Sequence, residues 1–162
     1  MAAGNHIPVR PTPRLALILA WLAGILSVLA IDGCVSIRLI ADYDEQTDKS
    51  VTKFQRKMET FLTALERNAT KAEGTYAANV EFYDEAKVDL SAIRVRAAAL
   101  PKNEITLSQI DVLRDSLDRL EQLHQLGIRA EHLAPIRSAF NSTCTAILKL
   151  ELAKKRRAIG ND

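Results

Sequence analysis

The chain has 162 residues, 48% of them hydrophobic and 5% aromatic, and its 22 Lys and Arg against 20 Asp and Glu leave a net charge of +2. That composition excludes a disordered or collagen-like chain, and the near balance of charge excludes a protein built to neutralise many nucleic-acid phosphates. The two cysteines and three histidines form no CxxC, CxxCH or HExxH arrangement, so a disulfide scaffold and the zinc, redox and c-haem signatures are excluded; one domain is the natural count.

Residues 15–31 run LALILAWLAGILSVLAI without a charge, behind Arg10 and Arg14 and with no acidic residue before them. This is a basic n-region followed by an apolar h-region. The run falls a little short of the roughly 20 residues needed to cross a bilayer core, which favours a signal peptide over a span. It closes on Ile31, Asp32, Gly33 and Cys34. That ending resembles the lipobox of bacterial lipoproteins: an aliphatic residue, two small residues, then cysteine. Ile31, Gly33 and Cys34 match the pattern and Asp32 departs from it. The resemblance implies cleavage between Gly33 and Cys34, with Cys34 as the new N-terminus carrying lipid on its sulfur and amino group. The alternative is an uncleaved signal anchor, which the arginines would orient the same way. Both readings export everything after Cys34. By the sorting rule of Gram-negative lipoproteins, Val35 in place of an aspartate directs the protein to the outer membrane rather than the inner. The sequons at Asn68 and Asn141 bear only on a eukaryotic secretory pathway, and patterns this short arise by chance.

Without residues 1–33 the chain keeps twenty basic and nineteen acidic residues over 129 positions. Ile40, Tyr43, Thr47, Val51, Phe54, Met58, Phe61 and Leu65 recur at alternating steps of three and four, predicting a helix over roughly 37–70. At 1.5 Å per residue it would be about 50 Å long, enough for its acidic first turns (Asp42, Asp44, Glu45, Asp48) to stand between membrane and core. Tyr76, Val80, Tyr83, Ala86, Leu90, Ile93, Ala97 and Leu100 predict a second helix over 75–100, ended by Pro101. Thr106 and Gln109 have capping-box spacing, and Leu107, Ile110, Leu113, Leu117, Leu120 and Leu123 give a third stripe over 107–126, with Gly127 as its stop. Leu133, Ile136, Phe140, Cys144, Ile147, Leu148 and Leu152 give a fourth over 131–157, where Pro135 fits only in the first turn. No segment alternates with period two. The expected fold is all-α, an antiparallel bundle of about four helices joined by short links.

Candidate chemistry is sparse. Glu121 and His124 form one ExxH pair, whereas di-iron bundles need two with further glutamates, so His124 reads as a core histidine with a hydrogen-bond partner. Cys144 sits on the apolar stripe as a small hydrophobe; if Cys34 is blocked by lipid, its other reading is an intermolecular disulfide. Lys154, Lys155, Arg156 and Arg157 complement the end of the last helix, or else touch anionic head groups or another acidic envelope polymer. Phe82 to Lys87 sets carboxylates beside tyrosines, with no nucleophile and base at a working spacing.

With Cys34-Val-Ser-Ile-Arg38, Asp42-Tyr-Asp-Glu45, Phe82-Tyr-Asp-Glu-Ala-Lys87 and the closing Ile147-Leu-Lys-Leu-Glu-Leu-Ala-Lys154, the chain resembles small helical lipoproteins of bacterial envelopes. The resemblance implies location and anchoring and carries over no activity, ligand or catalytic residue. The expectation is a lipidated periplasmic bundle over 34–162, with a structural or interaction role and no catalytic residues, cofactor, metal, nucleic acid or small-molecule substrate. Its partners would be the membrane, through lipid on Cys34, and an envelope protein or a second copy, the latter suggested by the long seam ahead of the core. A single-pass inner-membrane subunit is the first alternative and a metal-binding bundle or enzyme the second.

Overall fold

The computed structural model describes residues 40–159, which belong to one compact unit, Arg38–Asp162. Four α-helices account for most of them: α1 (Glu45–Asn68), α2 (Val80–Ala98), α3 (Glu104–Gly127) and α4 (Ala130–Ile159). Two short 3-10 turns, Ala72–Gly74 and Tyr76–Asn79, fill the link between α1 and α2. Each helix packs on its neighbours in sequence, and α1 also packs on α4, closing an up-down-up-down bundle. One end of the bundle carries residue 40, the α2–α3 turn and the end of α4. The opposite end carries the 3-10 turns and the α3–α4 link.

The apolar stripes form the core much as their spacing predicts. Val51, Phe54, Met58, Leu62 and Leu65 of α1 meet Tyr83, Ala86 and Leu90 of α2, Ile110, Leu113 and Leu117 of α3, and Leu133, Phe140, Cys144 and Ile147 of α4. Gly127 closes α3 at φ +100°, a conformation glycine adopts without Cβ strain.

The ends of the helices differ from the sequence expectation in four places. The first helix begins at Glu45 instead of 37, because Asp44 is extended (φ −123°, ψ 103°) and its carboxylate accepts from Thr47 N at 3.1 Å and Thr47 Oγ1 at 2.6 Å. An aspartate so placed satisfies donors at the helix start and suits the positive end of the dipole. The 24 residues of α1 therefore make a helix of about 36 Å, and residues 41–44 are no helical stalk. The second helix begins at Val80 instead of 75, with Tyr76 in a 3-10 turn. Thr106 forms no capping box, since α3 already begins at Glu104 and the Thr106 hydroxyl is turned into the bundle. Finally, Pro135 lies in the second turn of α4, inside the helix, where it can donate no backbone hydrogen bond to the preceding turn.

Gly74 is where the α1–α2 link comes closest to the bundle. A Cβ on it would lie 2.0 Å from Asn68 O and 2.6 Å from Asn68 C, so only glycine fits against the end of α1. Asn79 holds the same link by donating from Nδ2 to Glu73 O at 2.8 Å and Thr75 O at 2.7 Å.

Candidate functional site

The polar side chains taken inside the bundle gather at the end where residue 40 enters. Glu151 and Lys154 of α4 continue the Phe140, Cys144, Ile147 register and are 0% and 5% exposed. Burying two charges is costly unless every donor and acceptor is answered, and here the answers are complete. Lys154 Nζ donates its three protons to Glu151 Oε1 at 2.5 Å, Asn103 Oδ1 at 2.7 Å and Thr106 Oγ1 at 3.0 Å. Glu151 also accepts from Thr106 Oγ1 at 3.4 Å and, through Oε2, from Asp44 N at 3.2 Å. Asn103 is held in turn by donating from Nδ2 to Ala97 O at 2.9 Å.

This cluster fastens the incoming chain. Arg96 of α2 grips Asp44 with two parallel hydrogen bonds, Nε to Oδ2 at 2.8 Å and Nη2 to Oδ1 at 2.7 Å. The guanidinium, helped by the Thr47 donors against the opposing effect of burial, holds the Asp44 carboxyl well below the usual carboxylate range. Ala41 N donates to Lys102 O at 3.0 Å, and Arg157 Nη2 donates to Ile40 O at 3.1 Å. Lys155 Nζ lies 5.1 Å from the centroid of the Tyr43 ring, within cation–π range. Residues 40–44 thus form a strap tied to the α2–α3 turn and to the last turns of α4.

The basic run therefore divides. Lys154 is a core residue, Lys155 and Arg157 engage the strap, and Arg156 is exposed. Sequence reasoning kept all four cations together as one charged end and placed Leu152 on the buried stripe. Leu152 is in fact 44% exposed, and Glu151 takes the inward position. The spacing 140, 144, 147, 151, 154 carries the signal, but it asks a glutamate and a lysine to count as core residues.

At the opposite end, His124 is buried and fully partnered. Its Nε2 lies 2.8 Å from Gly74 O and its Nδ1 lies 2.8 Å from Tyr83 Oη. A carbonyl can only accept, so Nε2 carries a proton; in the neutral ring Nδ1 then accepts from the Tyr83 hydroxyl. Burial, with Glu121 and Tyr76 adding to it, raises the pKa of Tyr83 above that of an ordinary phenol and keeps it a donor. Phe61 stacks on Phe82 at 3.6 Å between centroids, and Tyr76 meets the His124 ring edge-on at 5.9 Å. Glu121, the other half of the ExxH pair, is engaged elsewhere: it accepts from Tyr76 Oη at 3.1 Å and pairs with Lys87 at 2.6 Å. Among the described residues no three His, Cys, Asp or Glu side chains are grouped to hold a metal ion.

Cys144 is a free thiol, 1% exposed, whose pKa burial pushes up to about 12. Asn141 is half-buried and spent on Glu59 and Gln55, and Asn68 ends α1. A groove of about 600 Å³ between α2 and α3 is floored by Leu90 and Ile110 and edged by Val88, Val95, Arg94 and Arg114; its lining holds neither histidine nor cysteine.

Gly33 and Cys34, with the apolar segment over residues 15–31, lie outside the described residues. No described helix is long and apolar enough to cross a membrane. The self-association expectation rested on a helical seam ahead of the core, and residues 41–44 of that seam are non-helical strap instead. Comparison with known proteins adds no relative, because no family model, curated protein or solved structure matches the chain.

Proposed function

We propose that this protein is a membrane-anchored helical module of a bacterial cell envelope, held by lipid on Cys34 and serving a structural or protein-interaction role without chemistry of its own. The observation that carries the reading is the uncharged run over residues 15–31 closing on Ile31, Asp32, Gly33 and Cys34. Two features of the bundle support it. Its buried polar groups are spent on one another in holding the helices and the strap together, as a structural module requires. The strap begins at Ile40, six residues beyond Cys34, a stretch that reaches at most about 20 Å when fully extended. An anchor at Cys34 would therefore hold the bundle close to the membrane rather than on a stalk. Val35 favours the outer membrane, at its periplasmic face.

Asp32 favours a second reading, an uncleaved anchor in the inner membrane that makes the chain a single-pass subunit of a larger complex. Mass spectrometry of the N-terminal peptide from membranes separates the two. A diacylated or triacylated peptide starting at Cys34, lost in Cys34→Ala, is the expected result. An intact N-terminus would overturn lipidation and make residues 15–31 the anchor.

A further inference from the structure

The last turns of α4 have an exposed face that the strap touches at Lys155, through the Tyr43 ring. The polar cluster of Glu151 and Lys154 marks the level at which the core ends, and α4 continues for five residues beyond it, about 7.5 Å, to Ile159. The strap runs beside this overhang in the opposite direction. Asp44 bonds Glu151, Tyr43 lies under Lys155, and Ile40 bonds Arg157, so the chain passes along the overhang as it is traced back towards Cys34.

One exposed face of these last turns carries Leu152, Lys155, Arg156 and Ile159, at the i, i+3, i+4, i+7 spacing that lines up side chains on a helix. Leu152 and Ile159 are 44% and 69% exposed, and neither packs in the core. Cations alone at a helix end are accounted for by the dipole. Two cations between two exposed aliphatic side chains are not; that pattern suits a bilayer surface, where apolar groups enter the head-group boundary and ammonium or guanidinium groups meet phosphates. Among the acidic residues at this end, Asp44, Glu45 and Glu151 pair with Arg96, Lys49 and Lys154, and Asp48 accepts from Tyr43.

We propose that Leu152, Lys155, Arg156 and Ile159 form a contact surface for an anionic lipid leaflet, docking the bundle end-on against the membrane. The inference rests on the anchored reading above, since residue 40 must lie near a bilayer for the stripe to reach one. The full chain is reconstituted in phosphatidylcholine vesicles with and without phosphatidylglycerol, and amide hydrogen exchange is followed in residues 152–159, with the Ala72–Gly74 turn at the opposite end as internal reference. Each basic residue near an anionic surface contributes about a fivefold preference, so exchange in the overhang should slow when phosphatidylglycerol is present, by up to about 25-fold where opening requires undocking. The reference turn should be unchanged. Lys155→Gln/Arg156→Gln should abolish the difference, and Arg156→Gln, at an exposed position, should halve it on a logarithmic scale. Equal exchange in the two vesicles, or a difference that survives the double substitution, overturns the proposal. The N-terminal peptide mass from the same sample judges the anchor separately: a lipidated Cys34 with equal exchange refutes the docking surface alone, and an unlipidated one refutes only the lipid.

Discussion

Lys154→Met offers the sharpest test of the buried cluster. The substitution roughly keeps side-chain volume but removes the cation that pairs with Glu151 and supplies donors to Asn103 and Thr106. Glu151, fully buried, then keeps only the Thr106 hydroxyl and the Asp44 amide as donors. Breaking a buried pair on one side costs about 3–5 kcal/mol. For a domain of this size each kcal/mol moves the melting temperature by about 3–5 °C, so Lys154→Met should lower it by about 10–20 °C. Glu151→Gln, which keeps oxygen and shape, should cost less. Because both changes act on one network, the double variant should fall short of the summed single losses by about 1–3 kcal/mol. Thermal unfolding of the full chain in mild detergent, followed by the helical circular dichroism signal, reads all three. A Lys154→Met loss below about 1 kcal/mol, or strict additivity in the double variant, would refute the claim that the pair is a dry, saturated unit.

Other outcomes follow from the same geometry. Gly74→Ala should be far more destabilising than Gly127→Ala. The first drives a methyl into the Asn68 backbone, whereas the second meets open space and costs about 1 kcal/mol of backbone strain; their melting temperatures compare directly. Cys144 should resist thiol reagents at pH 8 in the native protein and react at the rate of an ordinary thiol once denaturant is added, because burial raises its pKa and denies access. Asp44 contributes pH-dependent stability. Its folded pKa is depressed, so the contribution is complete above the ordinary aspartate value near 4 and is lost as pH falls through the folded value. Asp44→Asn should therefore flatten the acid side of the stability profile below about pH 4 relative to the unaltered chain, as read by melting temperature against pH.

The helical class and most of the core could be read from the chain because burial imposes a 3.6-residue period, and Val51, Phe54, Met58, Leu113, Leu117 and Ile147 obey it with side chains of one chemistry. The period misled where Glu151, Lys154 and Thr106 took core positions, although it did place His124 in the core without naming its partners. Glu151, Lys154, Thr106 and His124 hold the register of their helices, but beyond the Glu151–Lys154 pair itself their cost of burial is offset by partners 41 to 107 residues away, such as Tyr83 for His124 and Asp44 for Glu151. No local pattern announces such partners. The start of α1 was missed for a related reason: Ile40 and Tyr43 continue the apolar spacing, yet Asp44 ends the helix there because its carboxylate caps Thr47 while gripping Arg96 on α2. At the opposite end, the demand that Gly74 meets comes from the Asn68 carbonyl, a tertiary contact that the break at Lys71 to Gly74 signals only as a loop.

The placement of α4 beside α1 has a consequence for how the chain acquires its structure. Helix α1, the earliest made of the described helices, has α4, the latest of them, as a principal neighbour, and the bond from Asp44 N to Glu151 spans 107 residues. Until residue 154 is available, the apolar face of α1 lacks one wall and the strap lacks its fastening. A growing chain can pair α2 with α3 early, through contacts close in sequence, but the ring closes only once α4 arrives. Completion of the bundle thereby waits for the last turns of α4, so a chain cut short before Glu151 would have the apolar face of α1 uncovered and its strap unfastened.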